Sequence, residues 1–134
     1  SPFYLGLVFS SRYRSETMRA PGHGLSGTIA KFIMTKMNEA TSDHVVSEFL
    51  DVQQGHTIVE IGPGSGYAIR TILKADPAKI IGVEISPSFR NELASTYAED
   101  IQRGTLEIVA DDAAIFMKAS LQNESIDRII AVNV

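Results

Sequence analysis

Gly62, Gly64 and Gly66 stand at alternate positions directly after a short β-branched run, Thr57-Ile58-Val59-Glu60-Ile61. Glycines so placed let the backbone turn sharply and approach a ligand with no Cβ in the way. The segment after them reads as a helix, so its free first amides and the positive end of its dipole face the same ligand. Carboxylates recur at similar places further on. Glu84 closes a second apolar run, Lys79-Ile80-Ile81-Gly82-Val83-Glu84-Ile85, and Asp111-Asp112 follows a third, Thr105-Leu106-Glu107-Ile108-Val109. Amides, glycines and carboxylates in this pattern bind and orient a polar ligand; they break no bond by themselves. No His, Asp and Ser arrangement points to a nucleophile, and His23, His44 and His56 lack metal-ligand spacing.

Spacing narrows the ligand. A dinucleotide fingerprint requires Gly-x-Gly-x-x-Gly, with the last glycine allowing helix and strand to pack closely. Here that position is Tyr67, and the third glycine comes one place early. A Walker loop would end in Gly-Lys-Ser/Thr, which is absent. Glu84 lies about 20 residues beyond the first glycine, where an acidic residue accepts hydrogen bonds from ribose hydroxyls. It therefore supports a ribose without choosing among nucleotide cofactors.

The turn resembles motif I of class I S-adenosylmethionine-dependent methyltransferases, (Asp/Glu)-x-Gly-x-Gly-x-Gly, with Glu60, Gly62, Gly64 and Gly66 in its four places and Pro63 within it. The resemblance, to small-molecule enzymes of the type 11 kind, implies S-adenosylmethionine as cofactor. It implies that the loop lies under the methionyl part, with Glu60 fixing the loop and polarising contacts to the amino acid end; Glu60 can equally hold the loop's amides. It places Ile85 on the adenine face. The family's Gly-Asp-Ala pattern matches Asp112-Ala113, which gives Asp112 the adenine amino group, while Asp111 stands where glycine is common. One of the two aspartates is expected to cap the following helix. Asn133 ends the fourth strand and can touch cofactor or substrate, or simply cap the strand. The Asn/Asp-Pro-Pro-Tyr/Phe motif of some amino-methylating members is not supported by Asn133-Val134. Met37, Asn38 and His44 fall in a segment that lids the cofactor in the family, although helix packing suits Met37 and solvent suits His44. The implied reaction moves a sulfonium methyl group to an O, N, S or C atom, and no general base is visible.

These residues need elements to position them. Strands are expected over 57–61, 79–85, 105–109 and 126–132, and helices over 67–74, 86–103 and 112–120. Ser86 caps the second of these helices, Pro87 opens it and Gly104 stops it. Strands alternating with helices make an α/β fold, a Rossmann-like parallel sheet with flanking helices. The family's strand order is 3-2-1-4, which sets the loops side by side at the strand ends. The family's sheet has seven strands and only four are read here, so strand four is expected to be an exposed apolar edge. Before the sheet, helical stripes run over 28–38 and 42–51. Residues 1–27, with Pro2, Pro21 and four glycines, read as an arm or loop. The expected division is therefore an N-terminal arm over 1–27 and the N-terminal part of a methyltransferase domain over 28–134.

Bulk properties set outer limits. The 134 residues are 44% hydrophobic and 21% charged, which suits a globular domain. A net charge of −4 gives no electrostatic case for nucleic acid across the whole surface, so no nucleic acid is expected. A small-molecule acceptor is what the resemblance implies, since the stretch from Ser125 to Val134 is similar to the group that methylates small molecules. The absence of cysteine excludes disulfides and thiolate chemistry, and a cytoplasmic location is expected. No apolar run approaches the ~20 residues of a membrane span. The leading reading is a methyltransferase acting on a small molecule. The alternatives are a non-catalytic module that binds cofactor or a partner chain and, disfavoured by Tyr67, a nicotinamide oxidoreductase.

Overall fold

The computed structural model describes residues 8–9, 13–19, 29–35 and 43–132. Strand β4 (Thr57–Ile61) lies at the heart of the sheet, between β5 (Lys79–Val83) and β7 (Arg128–Val132), with β6 (Leu106–Val109) beyond β5. All four run parallel. In order of appearance, this is the expected 3-2-1-4 arrangement. A central parallel strand is covered on both faces, which is why β4 is buried at every position from Ile58 to Ile61.

Side chains of β4 alternate between two cores. On one face, Ile58, Ile80, Leu106 and Ile130 pack with Ala68, Ile69 and Ile72 of helix α1 (Tyr67–Leu73) and Leu93 of α2 (Pro87–Thr96). Val46 and Leu50 of a π-helical turn, Val45–Leu50, join them. On the other face, Val59, Ile61, Val83, Ile129 and Ala131 meet Leu121 of α4 (Ala113–Leu121). The result is a sheet between two helical layers.

The single long helix expected over 86–103 is broken. α2 ends at Thr96, Tyr97 leaves helical geometry, and a short α3 (Ala98–Gln102) follows. The helix expected over 42–51 closes its last turn with Asp51 N–H donating to the Val46 carbonyl at 2.9 Å, one residue wider than an α-helical bond.

Two expectations on the N-terminal side fail. The segment read as a helix over 28–38 holds strand β3 (Ile29–Thr35), and the stretch read as an arm or loop holds β1 (Val8–Phe9) and β2 (Tyr13–Arg19). β3 pairs parallel with β7 and antiparallel with β2, making a seven-stranded sheet ordered β1-β2-β3-β7-β4-β5-β6. The bare edge expected on the fourth strand of the core is therefore covered. The physical reason is the partner. Ile29-Ala30-Lys31-Phe32-Ile33-Met34-Thr35 is a short apolar run with β-branched residues, which periodicity alone cannot assign. The hydrogen-bonding edge of β7 decides it, and β7 lies far along the chain.

Candidate functional site

The carboxyl ends of β4, β5 and β6 are level, with Ile61 opposite Val83 and Val83 opposite Val109. The loops leaving them therefore open on one rim. There Ile61, Gly62, Val83, Glu84, Ile85, Asp111, Asp112, Ala113 and Ala114 line a groove of about 370 Å³. Of the residues named from the sequence, Gly62, Glu84, Ile85, Asp112 and Ala113 meet in this groove. Asn133, Met37 and Asn38 lie outside the described residues, and His44 is exposed.

The glycine turn is left-handed at all three glycines, with φ of +71° at Gly62, +56° at Gly64 and +88° at Gly66. The three have different surroundings. Gly62 N–H donates to the Val83 carbonyl at 2.8 Å and so ties the turn to β5. A Cβ on Gly64 would meet nothing within 4 Å, leaving that side open to an approaching group. A Cβ on Gly66 would lie 2.8 Å from both Leu93 Cδ2 and Tyr97 Cε2. Gly66 is buried under α2 and outside the groove lining, so its missing side chain serves helix packing. Pro63, also buried, lies against Gly82.

Glu84 is only 5% exposed. Its Oε1 accepts from Gly64 N–H and its Oε2 from Ser86 N–H, both at 2.9 Å. It thus binds the glycine turn to the start of α2. An ionised carboxylate offers about four acceptor positions, so two remain for hydroxyl groups in the groove. Arg90 braces the same corner by donating to the carbonyls of Glu84 at 2.9 Å and Ile85 at 2.8 Å. Ile85 itself is 79% exposed. An apolar side chain left in water on a groove rim is suited to the flat face of a ring.

Glu60 is fully buried, and among the described residues neither of its carboxylate oxygens has a hydrogen-bond partner. Of the loop amides that it was able to hold by sequence, Gly64 N–H goes to Glu84, and the Gly62 and Gly66 N–H groups go to the Val83 and Pro63 carbonyls. Burial pushes the Glu60 carboxyl up to about 8, with the Glu84 charge adding to the effect. It therefore carries its proton at neutral pH, a neutral acid under the turn.

Asp112 is the helix cap, its Oδ1 accepting from Ile115 N–H at 2.9 Å, while Asp111 Oδ1 accepts from Asp112 N–H at 2.7 Å. Both line the groove. Arg90 and Tyr97 were not singled out as site residues by sequence, and Asp111 was named there only beside Asp112, as the second aspartate of a cap-and-ligand pair. Adjacency to Asp112 was the signal for Asp111; nothing in spacing marks Arg90 or Tyr97, which act through backbone carbonyls.

No group of three or more His, Cys, Asp or Glu among the described residues is placed to hold a metal ion, and no helix among them is long and apolar enough to cross a membrane.

No protein-family model matches the chain. A curated protein, ribosomal RNA small subunit methyltransferase A of Methylobacterium radiotolerans, is 35% identical over 77 residues, which are 58% of this chain and 26% of that protein. Among solved structures, the C-terminal domain of precorrin-6Y C5,15-methyltransferase from Rhodobacter capsulatus superposes with a TM-score of 0.53 at 15% identity, over 60% of this chain and 43% of the other. A protein of Pyrococcus horikoshii assigned as an RNA methyltransferase superposes at 0.50 with 18% identity, over 69% and 42%. The chain thus spans about a quarter of the curated relative and under half of these solved chains. The fold is that of the class I methyltransferases. The expectation of a small-molecule acceptor with no nucleic acid is corrected by two of these three proteins, the Methylobacterium radiotolerans and Pyrococcus horikoshii ones, whose names specify RNA. Net charge averages over a surface, whereas an acceptor is met at one local face, so the charge of the whole chain does not decide the acceptor's class.

Proposed function

We propose, for a chain with the class I methyltransferase fold, that it is the cofactor-binding part of an S-adenosylmethionine-dependent methyltransferase acting on RNA. One observation carries the reading: a relative 35% identical over 77 residues is a ribosomal RNA methyltransferase. The groove supports the cofactor half. Gly62 and Gly64 let a ligand approach the backbone, Glu84 keeps acceptor positions for ribose hydroxyls, Ile85 offers an apolar face, and Asp111 and Asp112 offer acceptors for an amino group. Asp112 can serve while capping α4, since its second oxygen is uncommitted to the cap. A cytoplasmic location goes with this reading.

When bound, the cofactor supplies an activated methyl group on a sulfonium centre. The chain's own part is to fix where that group sits. Glu84 joins the glycine turn to α2, so both sides of the groove are set by one carboxylate. Holding donor and acceptor in line can supply much of the acceleration of such a displacement. The acceptor is proposed to meet surfaces in the part of the relative that this chain does not span.

Calorimetry with S-adenosylhomocysteine and with NAD tests the cofactor; binding of NAD alone would sink it. Transfer of labelled methyl from S-adenosylmethionine to ribosomal RNA tests the acceptor. Label retained in RNA is expected, and its absence from RNA in a chain that binds the cofactor would overturn that half.

A further inference from the structure

We infer that Tyr97 is a positioning residue for the glycine turn, holding Gly66 so that the groove side of the turn stays in register with Glu84. The inference rests on the reading above that this groove takes an adenosyl cofactor. Tyr97 stands at the break between α2 and α3, with φ −112° and ψ 30°. Its hydroxyl donates to the Gly66 carbonyl at 2.7 Å, in a buried contact between residues 31 apart in the chain. Its ring fills the space where a Cβ on Gly66 would be.

The neighbouring bonds show what this contact does. Gly66 N–H closes the turn on the Pro63 carbonyl at 2.9 Å, and the Gly66 carbonyl also accepts from Arg70 N–H at 3.1 Å. Gly64 N–H is held by Glu84. The turn is therefore anchored near its middle by Glu84, just ahead of the Ser86 cap of α2, and at its end by Tyr97, the residue that follows α2. A shift of the turn relative to Glu84 must break one of these bonds. Burial pushes the Tyr97 phenol up, so the donor keeps its proton through the neutral range. A helix broken at Tyr97 delivers the hydroxyl without giving up the Tyr97 amide, which still donates to the Leu93 carbonyl at 2.9 Å.

The test compares Tyr97→Phe with Leu93→Ala in the full chain. Tyr97→Phe deletes one oxygen, and its Kd for S-adenosylhomocysteine should rise roughly three- to tenfold, up to the range of one hydrogen bond, with only a small fall in melting temperature. Leu93→Ala takes packing off the same glycine but leaves the hydroxyl. It should lower the melting temperature by more and leave Kd within about twofold. Tyr97→Phe binding as tightly as the unaltered chain overturns the inference. So does Leu93→Ala weakening binding equally, because packing alone would then place the turn. In the unaltered chain, saturating ligand should shift the Tyr97 ring and Gly66 amide resonances, and unmoved signals would count against it. A chain that binds no S-adenosylhomocysteine at all overturns the cofactor reading as well, which separates the two failures.

Discussion

At the scale of single residues, the two buried glutamates divide the work in a way their types alone do not announce. Glu84 is paired with amides and available to a ligand, while Glu60 is unpaired and neutral. Glu84→Ala should weaken S-adenosylhomocysteine binding about tenfold or more, since hydrogen bonds to a charged group contribute roughly 1.5–3 kcal/mol. Unchanged affinity by calorimetry would show that Glu84 takes no part in binding. Glu60 makes a pH prediction. Its folded value of about 8 lies above the ordinary 4.5, so its contribution is fully present below the ordinary value and is lost as pH rises through the folded one. Between these limits stability should fall by about 1.4 kcal/mol per pH unit from this group. Urea midpoints measured from pH 5 to pH 9 should show the fall, and Glu60→Gln should flatten it. An equally steep fall in Glu60→Gln would assign the effect to another group. The sequence made both glutamates visible, Glu60 by its place in the glycine motif and Glu84 by its place at the end of an apolar run. Which of them reaches the amides of Gly64 and Ser86 was hidden, because that is settled by how β4 and β5 pack.

At the scale of elements, the glycine turn and α2 fit by subtraction. Gly66 allows Leu93 and Tyr97 to close on the backbone, and Leu93 is fully buried with little room to yield. Gly66→Ala should cost about 2–4 kcal/mol, combining left-handed backbone strain with overpacking. Gly64→Ala, strained but unobstructed, should cost only about 1–2 kcal/mol; equal losses in thermal melts would remove the packing argument. Arg128 makes the corresponding link on the other side. It reaches from β7 to the Leu50 carbonyl at 2.7 Å and the Asp51 carbonyl at 3.0 Å, ending the π-helical turn against the sheet. Arg128→Ala should destabilise by about 2 kcal/mol or more through the carbonyls it strands. A denaturant midpoint unchanged by this substitution would mean that water replaces the guanidinium. Strands β4 to β7 were legible because short runs rich in β-branched residues alternate with helical patterns and turn signals. The break at Tyr97 was not, because a tyrosine inside a helical pattern carries no local signal of the carbonyl it will meet.

At the scale of the whole molecule, the sheet continues past β7 through β3, β2 and β1. This covers a row of backbone groups that would otherwise face water or another chain. Removing residues 1–35 should therefore cause concentration-dependent self-association, measurable by light scattering. A shortened chain that stays monomeric would show that the β7 edge is protected by other means. The nucleotide-sized groove survives such a deletion in principle, because its lining residues all come from 61–114. The parallel core and its groove could be read from local runs and their spacing, while the pairing of β3 could not, since it is a relation between distant segments.

That pairing has a consequence for how the chain is made. Lys31 finds its partner in Arg128, so a strand that leaves the ribosome early must wait for one that leaves late. Meanwhile β2 and β3 can pair with each other at once, and β4, β5 and β6 can assemble around α1 and α2. Synthesis at about 5–20 residues per second leaves the two halves separate for seconds, with the growing edge of β3 unclaimed. The two halves should therefore join in one late event across β7. Conditions that slow translation would prolong the interval in which a chaperone has a bare strand to hold.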